Sequence, residues 1–184
     1  MCQPINTNEV YGVIPYLAPE VLSGWPYTKK SDIYSFGIIM WEYTSGKKPF
    51  HDRAHDCNLI LNILDGERPG ITDDTPEFYS ELMKKCWDSD PEKRPTIYEI
   101  ERCLDNYYHK QHLEPEAKRQ EIIKSKDFLS KEKKYSHHPK AIYSSYPLSN
   151  LIRQASSKGS SKKSSKSRTF STIFKAFCFH HTEK

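Results

Sequence analysis

Gly12-Val13-Ile14-Pro15-Tyr16-Leu17-Ala18-Pro19-Glu20 is the stretch on which the fold of this 184-residue chain turns. Pro15 and Pro19 each remove a backbone donor and fix φ, so neither a long helix nor a central strand can run through them. With Gly24 and Pro26 following, residues 12–28 read as a folded loop with one short helical turn around Glu20-Val21-Leu22. Immediately after it the pattern changes. Ile33, Phe36, Gly37, Met40 and Trp41 recur at helical spacing, and Tyr34, Ile38 and Ile39 fill the other side. A helix apolar nearly all round is a buried one, and it needs other elements to surround it. Thr28 is placed to cap its start and Gly46 to end it.

Further helices follow from the same reasoning. Residues 54–64 predict a shorter helix stopped by Gly66 and Pro69. Thr75-Pro76-Glu77 reads as a helix start, with Thr75 as cap, and Phe78, Leu82, Met83, Cys86 and Trp87 give its apolar face. Thr96-Ile97-Tyr98-Glu99 is a capping box, in which each end satisfies a backbone donor of the other. Ile97, Ile100, Cys103 and Leu104 would then face inward. No stretch reads as a strand, so the expected fold is all-α over residues 12–109, followed by a basic extension at 110–184.

Charge separates the same two parts. Residues 1–109 hold 11 Lys/Arg against 18 Asp/Glu, and residues 110–184 hold 17 against 6. The five cysteines are scattered, with no CxxC pair, which indicates neither a zinc site nor a disulfide framework. There is no long apolar run and the N-terminus is too polar for a secretory signal, so the expectation is an intracellular protein, cytoplasmic or membrane-peripheral.

Three motifs stand in order. Tyr16-Leu17-Ala18-Pro19-Glu20 resembles the motif that closes the activation segment of eukaryotic protein kinases. Asp32-Ile33-Tyr34-Ser35-Phe36-Gly37 resembles the start of the central helix of that family's large lobe. Cys86-Trp87-Asp88-Ser89-Asp90-Pro91-Glu92-Lys93-Arg94-Pro95-Thr96 resembles the signature before its last helix, in the wording of the tyrosine and tyrosine-kinase-like groups. The resemblance covers residues 12–104. It implies the C-terminal half of a helical lobe and a family activity of ATP-dependent phosphorylation of protein hydroxyls. Gly12, Val13, Pro15 and Tyr16 would form the substrate loop. Ala18, Pro19, Glu20, Asp32, Gly37, Trp87 and Arg94 would be structural, with Glu20 and Arg94 joined in a buried ion pair and Asp32 accepting hydrogen bonds from a catalytic loop. Trp25 and Trp87 read as core anchors, and His51 and His55 as solvated loop histidines. Val13 stands where Ser/Thr kinases usually carry a threonine hydroxyl, which leaves Ser/Thr versus Tyr specificity open.

The same family needs a Gly-rich loop, a strand Lys, a helix Glu, a catalytic-loop Asp and Asn, and a metal-binding Asp-Phe-Gly. No Asp-Phe-Gly or His-Arg-Asp string occurs in the chain; Asp127-Phe128 is followed by Leu129. The expectation is therefore no catalytic, cofactor-binding or metal residue in this chain. ATP and Mg²⁺ belong only to a longer parent, and the given sequence is inactive by itself. The alternative is a non-catalytic, kinase-like interaction module that docks a partner protein.

The extension is expected to be largely disordered. Residues 156–168 contain seven Ser, four Lys and one Arg. A solvated linker is the plain reading, an anionic membrane surface the more specific one, and nucleic acid is disfavoured. Phe170, Phe174, Phe177 and Phe179 follow the basic run, with Cys178 among them as a candidate for lipidation. Cys178, His180 and His181 are too few ligands for a metal site, and Ser156 is a candidate phosphorylation site.

Overall fold

The computed structural model describes residues 9–110 and 136–161. It is mostly helical, as expected, with one two-residue strand pair. Strand β1 (Tyr11–Gly12) leads into a 3₁₀ turn (Ile14–Tyr16) and the four-residue helix α1 (Pro19–Leu22). Then come α2 (Lys29–Ser45), α3 (Cys57–Leu64), α4 (Glu77–Cys86), a second 3₁₀ turn (Pro91–Lys93) and α5 (Ile97–Lys110). The extension supplies β2 (Tyr146–Pro147) and α6 (Ser149–Ser161).

Local chemistry accounts for the helix ends. Thr28 and Ser31 form a reciprocal box at the start of α2, and Gly46 closes it with φ 65°, a left-handed conformation that glycine adopts without a Cβ penalty. The carboxylate of Asp56 accepts from the backbone N–H groups of Asn58 and Leu59 to open α3. Thr96 and Glu99 form the expected box ahead of α5. One cap differs. Helix α4 starts at Glu77 after Pro76, and no side chain caps it; the Thr75 hydroxyl bonds to that of Thr72 at 3.0 Å instead.

α2 is the axis of the core. Tyr34, Gly37, Ile38, Met40 and Trp41 are buried, and α4 packs beside them through Leu82, Met83 and Cys86. Gly37 sets the approach: a Cβ there would lie 2.9 Å from the Cys86 Cβ and 3.1 Å from the Trp87 backbone nitrogen. The helix is not buried all round. Asp32, Ile39 and Tyr43 share an open face, with Ile39 52% and Tyr43 75% exposed. Ile97 also differs from expectation, being 61% exposed at the first turn of α5, while Ile100 is buried and Cys103 and Leu104 pack against the core.

The extension departs most from the sequence reading. Its described part, 136–161, is folded on the lobe. β2 pairs antiparallel with β1, Gly12 opposite Tyr146 and Tyr11 opposite Pro147. Leu148 is fully buried, and α6 lies along α3 with Ile152 and Ala155 buried. Apolar residues at 148, 152 and 155 repeat at helical spacing, a weak signal that the surrounding Ser and Lys masked.

Gly37→Ala should destabilise the fold. Alanine gains about 1 kcal/mol of helix propensity, whereas forcing a methyl into this contact costs about 1–3 kcal/mol. Urea unfolding should show a lower midpoint at unchanged slope; an equal or higher midpoint would mean that α2 and α4 are not in this contact.

Candidate functional site

α1 and the second 3₁₀ turn lie far apart in the chain, and one ion pair joins them. Arg94 Nη1 donates to Glu20 Oε1 at 2.6 Å and Nη2 to Oε2 at 2.7 Å, a two-pronged fork. The Arg94 side chain is wholly buried and that of Glu20 is 11% exposed. A buried guanidinium is tolerable only when its donors are used. Here Nε donates to the Asp88 carbonyl at 2.8 Å and Nη1 also to the Lys30 carbonyl at 2.8 Å. The Ser31 hydroxyl donates to Glu20 Oε1 at 3.1 Å. Planar, fixed geometry suits arginine to this role where lysine would not serve.

The expected substrate loop sits on this anchor. Gly12 is in β1, where a Cβ would press on the Leu17 side chain at 2.9 Å. Val13 precedes the 3₁₀ turn and its carbonyl accepts from the Tyr16 N–H at 3.0 Å. Pro15 is buried at the turn's second position. Tyr16 is half-buried; its hydroxyl donates to the Glu42 carboxylate, and its carbonyl accepts from Ser35 at 2.7 Å. Burial, and then the Glu42 carboxylate, push the Tyr16 phenol well above its ordinary pKa, so it stays a neutral donor. Ala18 and Pro19 are buried at the start of α1, which aims Glu20 at Arg94.

Three contributors escaped the sequence reading. Lys30 Nζ donates to the Arg94 carbonyl at 2.7 Å. Tyr34 is fully buried with two guanidinium carbons near its ring, Arg68 at 5.0 Å and Arg94 at 5.2 Å from the centroid. Arg68 bonds the carbonyls of Ile63, Glu67 and Trp87 and the Ser89 hydroxyl, tying the α3–α4 connection to the loop before α5. Arg68 precedes Pro69 as Arg94 precedes Pro95, and that local likeness was the available signal. Burial pushes the Tyr34 phenol up to about 12, against the two cations that favour its ionisation. Among the described residues its hydroxyl is the buried side-chain polar atom left without a hydrogen-bond partner.

The remaining candidates sort as follows. Asp32 is exposed in the first turn of α2. Trp87 is buried, but Trp25 is half-buried and outside the core cluster, so only one of the two anchors the core. His55 is not solvated: it is 4% exposed, with Nε2 bonded to the Phe50 carbonyl at 3.2 Å and Nδ1 within 2.9 Å of the Ile142 carbonyl. His51 is half-buried, with the His137 ring edge-on to it at 5.8 Å. Cys57, Cys86 and Cys103 carry free thiols, and no group of three metal-ligating side chains occurs among the described residues. Cys178 and the aromatic end lie outside the described residues.

A family profile described as protein tyrosine and serine/threonine kinase matches residues 5–104. This chain belongs to that family. The kinase chain is 44% identical over 106 residues to a Dictyostelium discoideum protein named as a serine/threonine-protein kinase, covering 55% of this chain and 7% of the relative. It is 36% identical over 159 residues to the dual specificity protein kinase shkD of the same organism, covering 77% of this chain and 21% of that one. A protein of Acanthamoeba polyphaga mimivirus named as a serine/threonine-protein kinase/receptor is 44% identical over 92 residues, 48% of this chain and 5% of its own. The chain thus spans a minor part of the length of the relatives it matches. The shkD likeness covers more of the chain than residues 5–104, so it reaches into the extension. No helix among the described residues is long and apolar enough to cross a membrane.

Two substitutions test the anchor. Arg94→Lys keeps the charge but cannot make the fork, and should lose at least one charged hydrogen bond, about 1.5–3 kcal/mol in chemical denaturation. Tyr34→Phe removes the unpartnered hydroxyl and keeps the ring, so stability should be unchanged or higher. A clear loss of stability in the Phe variant would show that the hydroxyl has a partner.

Proposed function

We propose that this chain supplies the protein-substrate side of a protein kinase, in which Gly12, Val13, Pro15 and Tyr16 receive the segment that carries the acceptor hydroxyl. The observation that carries the reading is the fork between Glu20 and Arg94. It fixes the end of the substrate loop to the distal helices, and Tyr16 is held from the other side by Glu42 and Ser35. Transfer of a phosphoryl group depends on positioning and on charge stabilisation. The rigid loop serves positioning alone.

The residues present do not compose a nucleotide site. The chain has no Asp-Phe-Gly or His-Arg-Asp string and no Gly-rich phosphate loop, so no step of phosphoryl transfer is assigned to its side chains. ATP and Mg²⁺ are proposed for a longer parent, with the given stretch inactive by itself. A second reading, a non-catalytic module that docks a partner protein, is favoured by the open face of α2 at Ile39 and Tyr43. The partner in both readings is a protein.

A graft separates them. Residues 12–104 replace the matching segment of an active relative, and phosphate incorporation into protein is measured. The kinase reading predicts activity that falls to background with Arg94→Ala, and the phosphorylated residue type then reports specificity. A graft that folds and binds Mg²⁺-ATP yet transfers nothing favours the docking module. Phosphotransfer by the isolated chain would contradict both.

A further inference from the structure

The proposed substrate loop begins with a strand edge at Tyr11–Gly12, and the chain's own extension pairs with it. From 140 to 155 the extension meets first the stretch between α2 and α3, then the strand edge, then α3. The Lys140 carbonyl accepts from the His55 N–H at 2.9 Å, and Ile142 meets the His55 ring. The Tyr143 hydroxyl donates to the Pro49 carbonyl at 3.0 Å, and its ring stands edge-on to His55 at 4.9 Å. Tyr146 and Pro147 pair with Gly12 and Tyr11, the Leu148 N–H donates to the Val10 carbonyl at 2.8 Å, and Val10 N–H donates to the Ser149 hydroxyl at 3.2 Å. Leu148 is buried beyond the pair, and Ile152 and Ala155 set α6 on α3.

This is how an extended peptide binds a strand edge: backbone bonds hold it, and alternate side chains enter pockets. Tyr146, Pro147 and Leu148 lie along the short edge, and Tyr143 secures the approach to it at Pro49 and His55. Among residues 140–159, Leu148, Ile152 and Ala155 are the buried apolar anchors, Tyr146 and Leu151 pack half-buried beside them, and Arg153, Gln154, Ser156, Ser157 and Lys158 are exposed. Attachment that rests on so few anchors is reversible, and a covalent tether that spans the gap holds such a ligand at an effective concentration on the order of mM.

We propose that residues 142–155 are a detachable strap that occupies, in cis, the strand edge of the substrate loop. The chain thus carries its own extended aromatic-proline-leucine peptide on the surface where a partner peptide of that kind would dock. Strap and partner exclude one another. What the edge is for rests on the kinase reading above; that the edge takes this peptide reversibly does not.

The test needs no phosphotransfer. A site for a sequence-specific endoprotease is placed within residues 111–135 of the full chain, and the cut and uncut forms are offered a fluorescent peptide of residues 140–157. The strap predicts that the uncut chain takes up little peptide, that the cut chain exchanges its fragment and binds at least about tenfold more tightly, and that the same peptide with Leu148→Asp binds neither. Bound peptide should restore slow hydrogen exchange at Val10 and Gly12, whose N–H groups face the strap. Equal binding by cut and uncut chains overturns the proposal, because the edge is then not self-occupied. A cut chain that retains its fragment through gel filtration and exchanges none overturns it too, as does loss of cooperative unfolding on cutting: either makes the segment permanent core. Uptake of peptide alongside an inactive graft would leave the strap standing and the kinase reading not.

Discussion

A guanidinium with no exposed side-chain surface has to be answered by fixed oxygens, and that requirement organises this structure. Arg94 collects Glu20 from α1, the Lys30 carbonyl from the start of α2 and the Asp88 carbonyl from the end of α4. Two stretches of the chain, 20–31 and 88–94, are thereby held at one point. Desolvating both ions is costly and the fork offsets it only when the geometry is complete. The anchor is therefore sensitive to all of its parts: α1 must start where Pro19 starts it, and α2 where Thr28 and Ser31 cap it.

The loop above the anchor inherits that rigidity. Glu20 holds its end, Pro15 and the 3₁₀ turn shape its middle, and Tyr16 is secured to α2 through Glu42 and Ser35. Its beginning, at Tyr11 and Gly12, is held by the Tyr27 hydroxyl on the Tyr11 carbonyl and is paired by the extension. His55 extends the same logic along α3's approach, turning both ring nitrogens to backbone groups of Phe50 and Ile142. The loop is thus fixed at one end by the ion pair and completed at the other by the extension.

Much of the lobe was legible in the sequence because its signals are local. The caps at Thr28 and Thr96 and the stop at Gly46 each rest on one residue type in one conformation. The ion pair was legible only through the resemblance, since 74 positions separate its partners. The folded extension was hidden because three buried side chains sit among serines and lysines, and composition outweighs periodicity at that density. His55 misled for a related reason: a histidine between loop residues is ordinarily wet, and what buries it comes from residue 138 onward, beyond the reach of any local pattern. The open face of α2 looked buried because Ile39 is apolar, yet Ile39 and Tyr43 are both exposed among the described residues.

The most direct measurement is a double-mutant cycle on the fork, with Glu20→Ala, Arg94→Ala and the pair together, followed by urea unfolding. A buried ion pair predicts that each single variant loses about 3–5 kcal/mol, because the other charge is left unanswered. It also predicts that the double variant loses far less than the sum, with a coupling of at least about 2 kcal/mol. Additive losses within about 0.5 kcal/mol would mean that the two side chains do not meet, and the account of the lobe built on them would be wrong.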